Sequence, residues 1–170
     1  MRTTWRWPRD HDESDLIVSE MDEVIPALVA AVQEQHATGD HYRDDAIRQA
    51  MEHQAQLALR PGPVRVDVIV DPPWSDGQIN SVQVVTGDRP FLVDTVASCL
   101  LRHGWRVEDV RHPIIGVKRD RGTIEAVGMP GRGGCASESW IHIDATAPLG
   151  TDIGQAAEQL RDDLCACLDQ

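Results

Sequence analysis

The stretch VQVVTGDRPFLVDTVASCLLRHGWRVEDV, residues 82–110, decides how the rest of the chain is arranged. Val82, Val84 and Thr86 alternate with Gln83 and Val85, the period-2 pattern of a half-buried strand. Gly87 breaks that pattern. Asp88 and Arg89 lead into Pro90, whose fixed φ and missing N–H suit the first turn of a helix, and the Asp88 carboxylate is placed to accept from the free N–H groups there. Over residues 92–103 apolar positions recur at helical spacing, while Asp94, Ser98 and Arg102 make one polar stripe. Gly104 suits the residue that stops a helix, and a second strand opens at Trp105. The segment therefore reads strand, tight turn, helix, strand.

Upstream, Val64, Val66, Val68 and Val70 alternate with Arg65, Asp67 and Ile69, a strand that the loop DPPWSDG (71–77) returns antiparallel into residues 79–86. Before it, apolar residues at helical spacing predict a helix over 15–36, which Pro26 must kink or restart, and a second helix over 42–58 that ends ahead of Pro61, Gly62 and Pro63. A break at 38–40 separates the two, and residues 1–14, with Trp5, Trp7 and Pro8, read as a loose arm.

Downstream, residues 107–119 predict a strand whose Pro113 requires an edge position or a bulge, because proline donates no ladder hydrogen bond. Residues 120–122 turn the chain so that 123–127 can pair back. Residues 128–134 hold four glycines and Pro130 but lack the Lys and Ser/Thr of a phosphate-binding loop, and read as a mobile hairpin tip. In the next strand Ser139, Ile141, Ile143 and Ala145 alternate with Trp140, His142 and Asp144. One face is core; the other must be covered by the leader helices or a partner, or line a site. Thr151 then caps a helix with the stripe Ile153, Ala157, Leu160, Leu164 and Leu168.

With 170 residues and 41% apolar content the chain can bury a core. Its net charge of −12, with no basic patch, argues against nucleic-acid and anionic-membrane partners. No apolar run is long enough to span a bilayer, and residues 1–15 are too charged for a signal peptide, so a cytoplasmic location and reduced cysteines are expected. Cys99 reads as a small core residue and Cys135 as the most exposed thiol. Cys165 and Cys167, two apart on a helix, point to different sides and predict no metal pair. His112 and His142 fall on neighbouring strands with Glu138 and Asp144 nearby, a grouping more often found as packing histidines than as a metal or acid/base centre. His11, His36, His41, His53 and His103 read as surface residues or helix ends. No G-x-G-x-x-G follows a strand and opens a helix, and the only lysine is Lys118, so no catalytic residue is assigned.

Asp88, Arg89, Pro90, Leu92, Val93, Val96, His103 and Gly104 together resemble the first half of an ACT domain, the βαββαβ module that binds amino acids and regulates metabolic enzymes. RHPIIGVKRDRG (111–122) and ESWIHID (138–144) stand in the order and spacing of the N-terminal region of the large bacterial NAD-specific glutamate dehydrogenases. The resemblance implies an α+β, ferredoxin-like antiparallel sheet with two helices on one face. It divides the chain into an arm and helical leader, 1–62, and an ACT-like domain, 63–170, in which strand 64–70 replaces the family's last strand as a circular permutation. It implies a small amino acid held at the turn Gly87, Asp88, Arg89, Pro90, Phe91 and Leu92, a homo-oligomer, and the rest of the parent enzyme as partner. NAD and catalysis would then belong to the parent enzyme, with no cofactor in this chain. In amino-acid-binding members Gly commonly stands at the position of Phe91, so Phe91 favours a second reading, a structural oligomerisation module without a ligand. An independent metalloenzyme built on His112 and His142 is a third.

Overall fold

The computed structural model describes residues 17–18, 21–35 and 44–170. Its elements in chain order are β1 (Ile17–Val18), α1 (Met21–Gln35), α2 (Asp44–Ala58), β2 (Val64–Ile69), β3 (Ile79–Gly87), α3 (Leu92–Arg102), β4 (Arg106–Arg111), β5 (Ile114–Asp120), β6 (Thr123–Gly128), β7 (Ala136–Thr146) and α4 (Ile153–Leu168). The strands form one antiparallel sheet in the order β1-β6-β5-β7-β3-β2, with β4 also paired to β7. This is the α+β architecture expected from the sequence.

The central pair is β3 with β7, in register from Ile79 opposite Thr146 to Gly87 opposite Glu138. Because side chains alternate across a strand, this register sorts them into two layers. Val82, Val84, Ile141, Ile143 and Ala145 share a core with Val66, Leu92, Val96, Leu100, Trp105, Leu160, Leu164 and Leu168, so α3 and α4 cover that face. Val85 and Trp140 join Ile115, Val117, Ile124 and Val127 under Leu28, Val32, Met51, Ala55 and Leu57 of α1 and α2. The leader helices thus cover the second face, and the chain needs no other subunit to bury it.

β2 lies antiparallel beside β3, Val64 opposite Thr86 and Ile69 opposite Ser81. The helix α3 ends in a Schellman arrangement: Trp105 N–H donates to the Leu100 carbonyl at 2.9 Å and Gly104 N–H to that of Leu101 at 3.0 Å, with Gly104 at φ +77°. Glycine adopts that φ without a steric penalty.

Several local expectations change. Residues 17–18 belong to a strand paired with β6, not to the leader helix, and α1 is one helix with Pro26 inside it, so no second helix starts there. The strand over 107–119 is two: β4 pairs with β7 near Ile143, β5 pairs with it near Ser139, and the chain steps across at His112 and Pro113. There the Trp140 N–H donates to the Pro113 carbonyl at 3.0 Å, and Gln35 takes the role of a strand neighbour, its Oε1 accepting from Ile114 N–H at 2.8 Å while its Nε2 donates to the Ile114 carbonyl. Asp152, not Thr151, caps α4, accepting from Gln155 N–H at 3.0 Å. Residues 128–134 do not tip a hairpin, because β5 lies between β6 and β7. Cys135 is 4% exposed, contrary to its expected accessibility. The 1–14 arm and the 38–40 break lie outside the described residues.

One charged group fastens the leader to the sheet. Arg119 grips Glu138 with two hydrogen bonds, at 2.7 and 3.1 Å, and donates to the Ala58 carbonyl at the end of α2 at 2.9 Å. Both side chains are shielded, 15% and 8% exposed. Glu138→Ala leaves the guanidinium shielded and unpaired, and is expected to lower unfolding stability by about 3 kcal/mol or more. Glu125→Ala, which removes the exposed 3.8 Å partner of Lys118, should change it by less than about 1 kcal/mol. Urea denaturation midpoints of the two variants measure the difference.

Candidate functional site

The turn from β3 into α3 stands open. Gly87, Asp88, Arg89, Pro90 and Phe91 are exposed, Phe91 at 77%, while Leu92 is buried under the helix. The Asp88 backbone N–H donates to the Ser137 carbonyl at 2.9 Å, holding the turn to β7. Its carboxylate is not the expected cap. Asp88 Oδ1 instead accepts from the Ser139 hydroxyl at 2.6 Å, and Ser139 Oγ lies 3.0 Å from His112 Nε2. Since the hydroxyl proton points to Asp88, the imidazole donates to Ser139 from Nε2. Asp88, Ser139 and His112 thus form one hydrogen-bonded row from the turn to the step between β4 and β5.

Phe91 is the N-cap residue of α3, at φ +66° in the left-handed region, with no side-chain hydrogen bond to the helix N-terminus. Thr95 closes the first turn, its N–H and hydroxyl both donating to the Phe91 carbonyl, at 2.9 and 2.8 Å. The N-terminal N–H groups of α3 therefore face an open surface beside an acidic side chain, an arrangement able to meet a carboxylate and an ammonium. Arg89 turns away, and its Nη2 donates to the Leu168 carbonyl at the end of α4.

The proposed pairing of His112 with His142 does not form. His142 lies opposite Arg111 across β4 and β7, and Glu138 is taken by Arg119. His142 is 3% exposed, between the sheet and α2. Gln83 Nε2 donates to the Ala50 carbonyl at 2.9 Å and to His142 Nδ1 at 3.0 Å, so the ring is protonated on Nε2 and donates to Asp144 Oδ1 at 3.0 Å. Burial, reinforced by the nearby Arg111 charge, pushes the His142 pKa below its usual value against the opposing pull of Asp144. The cavity beside it, lined by Val32, Met51, Gln54, Arg111, Pro113 and His142, has about 10 Å³ of room, roughly one water. It cannot hold an amino acid.

Sequence reasoning missed Ser139 as the partner of Asp88, because the contact depends on the β3–β7 register. It also read His53 as a surface residue, whereas His53 Nε2 donates to Asp67 at 2.8 Å and holds that carboxyl below its ordinary pKa. The β2–β3 register sets Asp67 opposite Gln83.

Among known protein families, the model described as "Glutamate dehydrogenase, ACT1 domain" matches residues 26–164, from within α1 to within α4. No curated protein matches the chain.

Two outcomes are expected at these positions. Because His142 is neutral when folded and protonates more readily when unfolded, stability falls as pH drops below about 6.5, by at most about 1.4 kcal/mol per pH unit. Denaturation midpoints between pH 7 and pH 5 should show this slope and lose it in His142→Gln. Phe91→Gly should raise stability by up to about 1 kcal/mol by relieving the left-handed strain, whereas Phe91→Ala, which keeps the Cβ, should not.

Proposed function

Because the chain belongs to the family of glutamate dehydrogenase ACT1 domains, we propose that it is a regulatory domain of an NAD-dependent glutamate dehydrogenase, acting through the corner where β3 enters α3. The observation that carries this reading is the open N-terminus of α3, uncapped by any side chain and set beside Asp88. A small amino acid bound there meets the helix N–H groups with its carboxylate and Asp88 with its ammonium. The corner is exposed, so a neighbouring domain or a second copy of the chain completes the enclosure. On this reading NAD and the catalytic residues belong to other parts of the parent enzyme, which works in the cytoplasm as an oligomer. The described helices are consistent with that location in one respect: none is long and apolar enough to cross a membrane.

The same reading takes β2 as the closing strand of a permuted βαββαβ unit. Its antiparallel register with β3 supports this. A second reading, a structural contact module with no ligand, draws on Phe91. A ring at the position where amino-acid-binding relatives commonly carry Gly occupies the approach to the backbone, and its 77% exposure suits a surface that meets another protein.

Calorimetric titration of the protein with each of the twenty amino acids separates the two. Saturable heat with one or a few of them, abolished in Asp88→Ala, is the expected result for sensing. Silence across the panel, with a sedimentation coefficient that falls in Phe91→Asp, is the result for a contact module. Silence together with unchanged sedimentation would overturn both roles for this corner.

A further inference from the structure

Away from that corner, α3 and α4 bring together four side chains of the kind that bind soft metal ions. Cys99 and His103 stand four residues apart at the end of α3, and Asp163 and Cys167 stand four apart near the end of α4. That spacing puts each pair on one side of its helix. The sulfurs of Cys99 and Cys167 and a carboxylate oxygen of Asp163 all lie within 4.8 Å of one another. His103 Nε2 reaches Asp163 Oδ2 at 2.9 Å, the same oxygen that Cys99 Sγ approaches at 3.4 Å. Cys165 is not part of the group, since it packs toward the core between α4 and the sheet.

We propose that Cys99, His103, Asp163 and Cys167 form a binding site for one thiophilic divalent cation of the zinc class, clipping the end of α3 to α4. Two sulfurs, one imidazole and one carboxylate are a complete four-ligand set for such an ion. Zinc–sulfur bonds of about 2.3 Å place tetrahedral ligands somewhat under 4 Å apart. Cys99, Asp163 and Cys167 therefore need to contract by roughly 1 Å, and His103, which touches Asp163 but lies outside their 4.8 Å group, must swing toward the sulfurs to serve as the fourth ligand. Cys99 is fully buried while the other three are partly exposed, so the ion has an outer side from which to enter.

The hydrogen bonds within the group are what an ion would replace. One oxygen of Asp163 takes hydrogen bonds from His103, Cys99 and Arg102, the last at 3.3 Å. A bound cation takes the place of these shared protons: the two thiols each lose one as their sulfurs bind, and the imidazole turns its free nitrogen lone pair to the metal. Two thiolates, one carboxylate and a dication sum to one negative charge. Arg102, whose Nη2 lies 3.4 Å from Cys167 Sγ, balances that charge from outside the ligand set. The site is independent of any ligand at the β3–α3 corner.

The test uses the full chain, reduced, stripped with chelator and with its thiols counted. Cobalt(II) is expected to bind at one equivalent with a thiolate-to-cobalt charge-transfer band and the intense visible bands of tetrahedral cobalt, and zinc should displace it. Cys167→Ser and Asp163→Asn should each weaken cobalt binding by about 10-fold or more, and Cys165→Ser should leave it unchanged. Affinity should rise with pH as the thiols give up their protons. Because Cys99 is buried, Cys99→Ser risks unfolding; the partly exposed Cys167 keeps the test decisive. The proposal is overturned if the reduced protein shows no thiolate–cobalt band at excess metal, or if the band survives in Cys167→Ser and disappears in Cys165→Ser. A Cys99–Cys167 disulfide in oxidised protein whose reduced form takes up no cobalt would also overturn it.

Discussion

Burial of β7 on both of its faces is the constraint from which the remaining architecture follows. From Glu138 to Ala145 every residue of this strand is buried, and its neighbour β3 is buried from Asn80 to Thr86. A strand covered on both sides needs two layers of helix, because its alternating side chains leave the sheet in opposite directions. The two layers receive different chemistry. Ile141, Ile143 and Ala145 meet α3 and α4 as an apolar core, whereas Trp140 packs under α1 and α2 and His142 lies against them with Asp144 hydrogen-bonded to it, a mixed polar surface. Polar groups buried without partners would cost more than the apolar contacts around them return. The leader helices accordingly bring hydrogen bonds: Gln54 donates to the carbonyls of Val84 and Ile141, and Gln83 reaches back to Ala50 of α2.

That division explains how much of the fold could be read directly. The alternation in β2, β3 and β7, the helical stripes of α3 and α4, and the stop at Gly104 are local patterns, and a period of two or of 3.6 carries them in a few residues. What escaped depends on contacts between distant residues. The 107–119 stretch looks like one strand until the partner is known. β7 is long enough to pair with β4 at one end and β5 at the other, and Pro113 marks the step between them. Residues 17–18 carry helical spacing, yet they pair with β6, which a local pattern cannot reveal. The choice between Thr151 and Asp152 as the cap of α4 turns on one residue of phase, the usual uncertainty at a helix end.

The candidate site was legible in its position and not in its chemistry. Residues 87–91 form an exposed corner, with Leu92 buried beneath it. From the sequence Asp88 reads as a partner of the helix terminus, because acidic residues there usually accept from free N–H groups. The register of β3 with β7 instead brings Ser139 beside it, and a hydroxyl 2.6 Å away takes the carboxylate oxygen. Phe91 shows the converse. Its left-handed φ of +66° is one that only a residue without a Cβ adopts at no steric cost. In this chain Phe91 holds the same conformation with a Cβ, its ring 77% exposed.

The leader helices follow the same physics as the sheet and belong to the same folding unit. Removing α2 would expose Trp140 and uncover His142 and Asp144. It would also leave the Arg119–Glu138 pair without the Ala58 carbonyl that completes it. No rearrangement within the sheet could hide those groups, since the opposite face is already filled by α3 and α4. The family match begins inside α1. The β3–α3 corner is therefore tied to both helix layers, because Asp88 is hydrogen-bonded to Ser139 of β7, whose other face carries the leader.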